Sequence, residues 1–210
     1  MEWIYQFALI VHIIAGMTAL VAGLIAIISR KGMQMHKASG LVFFWGMMLV
    51  CISAIYISLL KNIPFLLHIG IFAFFMVFGG YRTVKNKSLL ASTVDWLILL
   101  VGLVNGLLMV YSLKIVLMVF GIIGCYLAIS DVRLFLLAMK DREFPRNQWL
   151  IRHIGLMLGA YISTATAFLV VNVSLSQFAW IPWLVPTIIG TPLIAYWTNR
   201  FSSKSQSIKS

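Results

Sequence analysis

The sequence predicts an all-α integral membrane protein: a bundle of about seven transmembrane helices with its N-terminus outside and its C-terminus in the cytoplasm. Composition is the first sign. Of the 210 residues, 62% are hydrophobic and 10% charged, with a mean hydropathy of +1.01, whereas a soluble domain carries roughly a quarter charged residues. The second is seven apolar segments, each near the ~20 residues that a helix rising ~1.5 Å per residue needs to cross a bilayer. The third is the gathering of lysine and arginine on alternate connections, as the positive-inside rule describes.

The segments fall at residues 4–28, 33 or 38–60, 64–81, 89–113, 115–139, 149–173 and 178–197. Only Tyr111-Ser112-Leu113-Lys114 separates the fourth from the fifth. A single helix over both would far outrun a bilayer, so a tight turn is expected there. One side receives Arg30, Lys31 and Lys37, then Arg82, Lys85 and Lys87, then Lys140, Arg142, Arg146 and Arg152, and last Arg200, Lys204 and Lys209. The other has little beyond Lys61 and Lys114. The basic side is therefore assigned to the cytoplasm and the protein to the cytoplasmic membrane. Trp3, Tyr5, Trp180 and Trp183 at outer ends, and Tyr81, Trp149 and Trp197 at inner ends, suit interfacial anchoring.

Residues 1–200 read as one transmembrane domain and 201–210 as a basic, disordered cytoplasmic tail drawn to anionic lipid head groups. Met1-Glu2-Trp3 is no basic leader and no small-residue cleavage site follows, so the first segment is expected to be retained as a span. The net charge of +11 belongs to loops between apolar runs, and no basic face interleaved with aromatics points to nucleic acid. Cys51 and Cys125 lie inside apolar runs, where a thiol behaves as a small hydrophobe.

Ionisable groups at membrane depth are costly and therefore informative. The chain has four histidines, sorted by topology into an outer pair, His12 and His68, and an inner pair, His36 and His153. Each comes from a different span. Bis-imidazole ligation of a haem takes one histidine from each of two helices, with small residues nearby to admit the porphyrin. Gly16 follows His12 by one turn, Gly40 follows His36 by one, and Ala160 follows His153 by two. His12, Gly16, Ala19 and Gly23 form one stripe of the first helix, expected to face protein. The leading expectation is a b-type haem-binding electron-transfer protein working with a redox partner. His12 and His68 would hold one haem b, His36 and His153 a second, and Arg82, Arg152 or Lys37 would neutralise propionates. Against it stands a plain interhelical hydrogen-bonding role for each histidine, the default for His36 beside its basic turn.

Other chemistry is also legible. Met33, Met35 and His36, with Met17 near His12, offer soft ligands for Cu(I) and hence a metal-handling protein. A zinc hydrolase is disfavoured, since neither His-x-x-x-His nor His-Glu-x-x-His occurs. Asp95 and Asp131 lie in the inner halves of the fourth and fifth spans, where a proton-coupled transporter could use them. Pairing with Arg82, Arg133, Arg152 or a protonated histidine is open to them, and a structural ion pair at the inner interface is the favoured account. Asn105 with Gly102 and Gly106, and Gly121 with Gly124, supply small faces for close helix packing. No arrangement of nucleophile, base and oxyanion donors can be assembled.

The first hairpin, His12-x-x-x-Gly16-x-x-Ala19-Leu20-x-x-Gly23 leading through Arg30-Lys31-Gly32 to His36-x-x-x-Gly40, resembles a family of bacterial predicted membrane proteins of uncharacterised function. The stretch from His153 through Tyr161 and Phe168 to Asn172 looks like that family's other block. The resemblance implies a multi-pass bacterial membrane protein. A more distant likeness, resting on the paired histidines, is to two-haem b-type membrane cytochromes. Their ligands come from a central four-helix bundle, whereas here they sit on the first, second, third and sixth spans.

Overall fold

A computed structural model describes residues 2–140, 147–173 and 181–206. They form seven helices: α1 (Glu2–Ile28), α2 (Gln34–Lys61), α3 (Pro64–Lys85), α4 (Thr93–Tyr111), α5 (Ile115–Met139), α6 (Gln148–Asn172) and α7 (Ile181–Gln206), with no strand among the described residues. The first six are long and apolar enough to cross a membrane. α7 is not among them: Pro186 and Pro192 interrupt it, and its end is rich in serine. It continues through Gln206, so residues 201–206 are helical where an irregular tail was expected. Arg142, Arg146, Trp180 and Lys209 lie outside the described residues.

Local chemistry sets the helix ends. α2 stops at Asn62, which adopts the left-handed conformation (φ 52°) that asparagine tolerates, and Pro64 opens α3 where its missing N–H costs nothing. α4 begins at Thr93, four residues later than expected, because Ser92 and Asp95 form a reciprocal capping box. Leu89, upstream of that cap, is buried against Leu99 and Phe135. The faint break between α4 and α5 is real. Leu113 turns the chain with φ 54°, and the Ser112 hydroxyl donates to the Met109 carbonyl at 2.7 Å.

The helices do not pack in simple chain order. α1 lies on α2, α2 on α3, α3 on α6, and a smaller contact between α6 and α1 closes a four-helix square. The α4–α5 hairpin packs on α3 from outside, and α7 lies along α6. In the square, α1 therefore stands across from α3, and α2 across from α6. Side chains bridge the second diagonal: Thr164 of α6 reaches the Met47 sulfur of α2 at 3.0 Å, and Phe43 faces Tyr161 with ring centroids 6.1 Å apart. Nearby, the buried Thr166 hydroxyl has no hydrogen-bond partner among the described residues.

Small residues let the backbones approach, as association inside lipid requires where hydrophobic driving force between helices is weak. Ala19 and Gly23 of the expected α1 stripe are buried, and a Cβ on Gly46 of α2 would stand 3.2 Å from that of Ala19. Gly106 and Gly121 bring α4 and α5 together so closely that a Cβ on Gly121 would sit 2.7 Å from the Gly106 carbonyl oxygen. Gly121→Ala is expected to destabilise the protein by about 1–3 kcal/mol through overpacking against backbone that cannot yield. Gly40→Ala, which meets nothing within 4 Å, should be close to neutral. Unfolding in mixed micelles measures both, and equal midpoints would refute the packing account.

Candidate ligand site at the basic end

Arg82 of α3 grips Asp95 of α4 through the Nε and Nη2 of one guanidinium edge, at 2.9 and 2.7 Å, while Asp95 also accepts from Ser92. Arg152 of α6 binds Asp131 of α5 in the same two-pronged way at 2.6 Å each, and the two side chains are 10% and 6% exposed. Its remaining donor reaches α3, at the Gly79 carbonyl (2.9 Å) and the Thr83 hydroxyl. Both aspartates are thus held as ion pairs. The nearer Arg133 is exposed and takes no part. Arg82 and Arg152, read from sequence as partners for propionates, are committed to these carboxylates.

The four histidines sit one on each helix of the square, and all four are anchored alike. Nδ1 of His36 lies 2.9 Å from the Ala26 carbonyl of α1, and Nδ1 of His153 lies 3.0 Å from the Gly80 carbonyl of α3. A carbonyl oxygen only accepts, so the network assigns the proton to Nδ1 and leaves Nε2 with a lone pair. His12 follows the same rule with the Val50 carbonyl at 3.2 Å and with Ser53 Oγ at 3.0 Å, the serine donating its own proton to the Leu49 carbonyl. His68 donates to Asn105 Oδ1 at 2.8 Å, and the Asn105 amide returns a bond to the His68 carbonyl at 3.0 Å. No hydrogen bond to any of the four Nε2 atoms is made among the described residues. Histidines that ligate a metal are oriented in this manner, by donating the opposite ring N–H.

His36 and His153, from opposite helices of the square, line one cavity of about 640 Å³ at the basic end. That lies within the ~300–1,000 Å³ of typical ligand pockets. Phe43, Tyr81, Trp149, Tyr161 and Trp197 furnish aromatic walls, and Lys31, Lys37, Lys85 and Lys87 line it as well. Gly40 contributes open space beside His36. Gly23 has a different reason: a Cβ there would fall 2.5 Å from the Tyr161 ring.

The outer pair is arranged differently. His12 is tied to α2 and His68 to α4, they share no partner, and neither lines this cavity. A Cβ on Gly16 would meet Val50 at 3.9 Å, whereas Ala160, two turns beyond His153, is fully buried. The soft-ligand cluster also disperses. Met33 and Met35 are 54% and 64% exposed and do not line the cavity with His36. Among the described residues no group of three or more His, Cys, Asp or Glu gathers to hold a metal ion.

Sequence reasoning missed Asn105 as the partner of His68, although its depth on α4 was the available signal. Apart from Lys37, offered as a partner for propionates, it used the loop lysines for orientation alone, and so missed that four of them converge on one cavity.

The Asp131–Arg152 pair should behave as a buried pair does, with removal of one partner costing about 3–5 kcal/mol and removal of both much less. Asp131→Ala is therefore expected to unfold in micelles far more readily than Asp131→Ala combined with Arg152→Leu. A double variant no better than the single would show that the two charges do not depend on each other.

No curated protein and no solved structure matches the chain. The block at 153–172 lies beyond the matched residues, which cover most of α1, all of α2 and α3 and the start of α4. Residues 9–100, which carry three of the four histidines, match the family model described as Predicted membrane protein (DUF2306).

Proposed function

We propose that this integral membrane protein binds a b-type haem at its basic end, between His36 and His153, and serves in electron transfer. One observation carries the reading: two imidazoles from opposite helices, each held by an Nδ1–H bond to a neighbouring helix, line one aromatic-walled cavity. The residues suit the group. Neutral imidazole is a good iron ligand, the walls are apolar, and Gly40 leaves space beside His36. A ligated haem supplies one-electron redox chemistry. The chain's own part is to hold both rings in register, to exclude water with Phe43, Tyr81 and Tyr161, and to set cationic side chains where carboxylates emerge. On this reading the basic end is cytoplasmic and meets a redox partner there.

The same reading assigns His12 and His68 to a second haem in the opposite half. Its support is that α1 and α3 stand across the square from each other and that both rings keep Nε2 unbonded. Transport driven by Asp95 or Asp131 has no comparable support, because both carboxylates are held by arginine.

Protein purified from haem-replete cells is expected to show a Soret band that shifts on reduction. His36→Ala and His153→Ala should each abolish the inner component, and His12→Ala or His68→Ala only an outer one. A colourless preparation, or a band indifferent to His36 and His153, would reject the assignment.

A further inference from the structure

The cavity carries more positive charge than ligation of a metal requires. Lys31 lies in the turn after α1, Lys37 in the first turn of α2, Lys85 at the end of α3 and Lys87 just beyond it, so only folding brings them together. None is paired with a carboxylate among the described residues. Glu2 takes Lys61, Asp95 takes Arg82, and Asp131 takes Arg152. Three of the lysines instead lie over aromatic faces: Lys31 over Trp197 at 5.1 Å, Lys85 over Tyr81 at 5.7 Å and Lys87 over Trp149 at 4.8 Å. These three rings line the cavity too. Lys31 also donates to carbonyls at the end of α1, at Ala26 (3.1 Å) and Ile27, and burial lowers its pKa.

Like charges around one opening repel one another, and Lys31, half-buried while Lys37, Lys85 and Lys87 are exposed, is desolvated with no carboxylate beside it among the described residues. A ligand with negative charge at one end relieves both costs. The remaining walls, including Ile154, Met157 and Leu158, are apolar and suit a hydrophobic body. Nothing about this distribution calls for a neutral ligand or a cation.

We propose that the basic-end cavity is an acid-headgroup site, in which Lys31, Lys37, Lys85 and Lys87 receive the carboxylates or phosphate of an amphiphile whose apolar body lies between α2 and α6. It shares its cavity with the haem reading but not that reading's iron ligands. A haem with its two propionates and an anionic phospholipid are two sources of the same chemistry.

The test uses the full chain in neutral detergent. Quenching of tryptophan fluorescence follows binding of haem and of haem dimethyl ester, which keeps the ring and loses the charges. Native mass spectrometry follows retention of phosphatidylglycerol against phosphatidylcholine. Wild-type protein is expected to bind haem about ten-fold more tightly than its ester and to prefer the anionic lipid, as charge-assisted contacts predict. Replacing all four lysines by glutamine should erase both preferences and leave ester binding unchanged, and replacement by arginine should restore them.

If neither porphyrin binds but phosphatidylglycerol is retained through the lysines, the acid-headgroup site stands and the haem reading falls. If haem binding needs His36 and His153 yet ester and acid bind alike, the haem reading stands and this one falls. Preferences that survive the glutamine variant overturn it as well.

Discussion

Inside a bilayer no water is at hand to satisfy a polar group, and the Arg152–Asp131 pair is where this constraint organises the fold. Arg152 spends its two-pronged edge on Asp131 of α5 and its remaining donor on Gly79 and Thr83 of α3. One guanidinium thereby joins three helices. The next residue along α6 is His153, and the next carbonyl along α3 is that of Gly80, which accepts its Nδ1–H. The clamp that satisfies the charge thus also sets the rotation of α6 at the cavity. Slipping α6 by one residue would unpair the charge and turn the imidazole away together.

The remaining histidines obey the same economy on other helices. Each imidazole finds an acceptor on a neighbouring helix, at the Ala26 and Val50 carbonyls or the Asn105 amide. Interhelical bonds of this kind help to hold membrane helices together once small residues have let them approach. Among the described residues they also leave every ring with one nitrogen unbonded, so the device that builds the bundle prepares the donor set that a metal or porphyrin would use. At the basic end that donor set opens onto a cavity. In the opposite half His12 and His68 turn toward α2 and α4.

Much of the architecture was legible in the chain. Apolar runs bounded by charged turns read directly as helices, because a span must satisfy its own backbone and its length is set by the bilayer. Even the weakest boundary, at Ser112 to Lys114, followed from that length limit. The ends that went astray are governed by local polar chemistry or composition. Ser92 caps α4 later than hydropathy suggested, and the serine-rich end of α7 stays helical. Asp95 and Asp131 were correctly read as ion-paired, since unpaired carboxylates at depth are prohibitively costly. Choosing Arg152 over Arg133 took the packing of both α5 and α6 on α3, which brings Arg152 within reach of Asp131, while neighbours in sequence point to different helix faces.

By itself the sequence determined the helices, their number, the side on which positive charge collects and the four imidazoles at depth, all properties carried by hydropathy and residue type along one strand of chain. Tertiary structure alone decided that α1, α2, α3 and α6 close a square while α4 and α5 stand outside it. It decided as well that His36 and His153 share a cavity with lysines from three separate stretches, and that Met33 and Met35 turn away from it. Hydropathy is indifferent to which helix faces which. Small-residue contacts and the few polar bonds that cross between helices make that choice, and their hydrogen-bonded partners lie up to 117 residues apart in the chain.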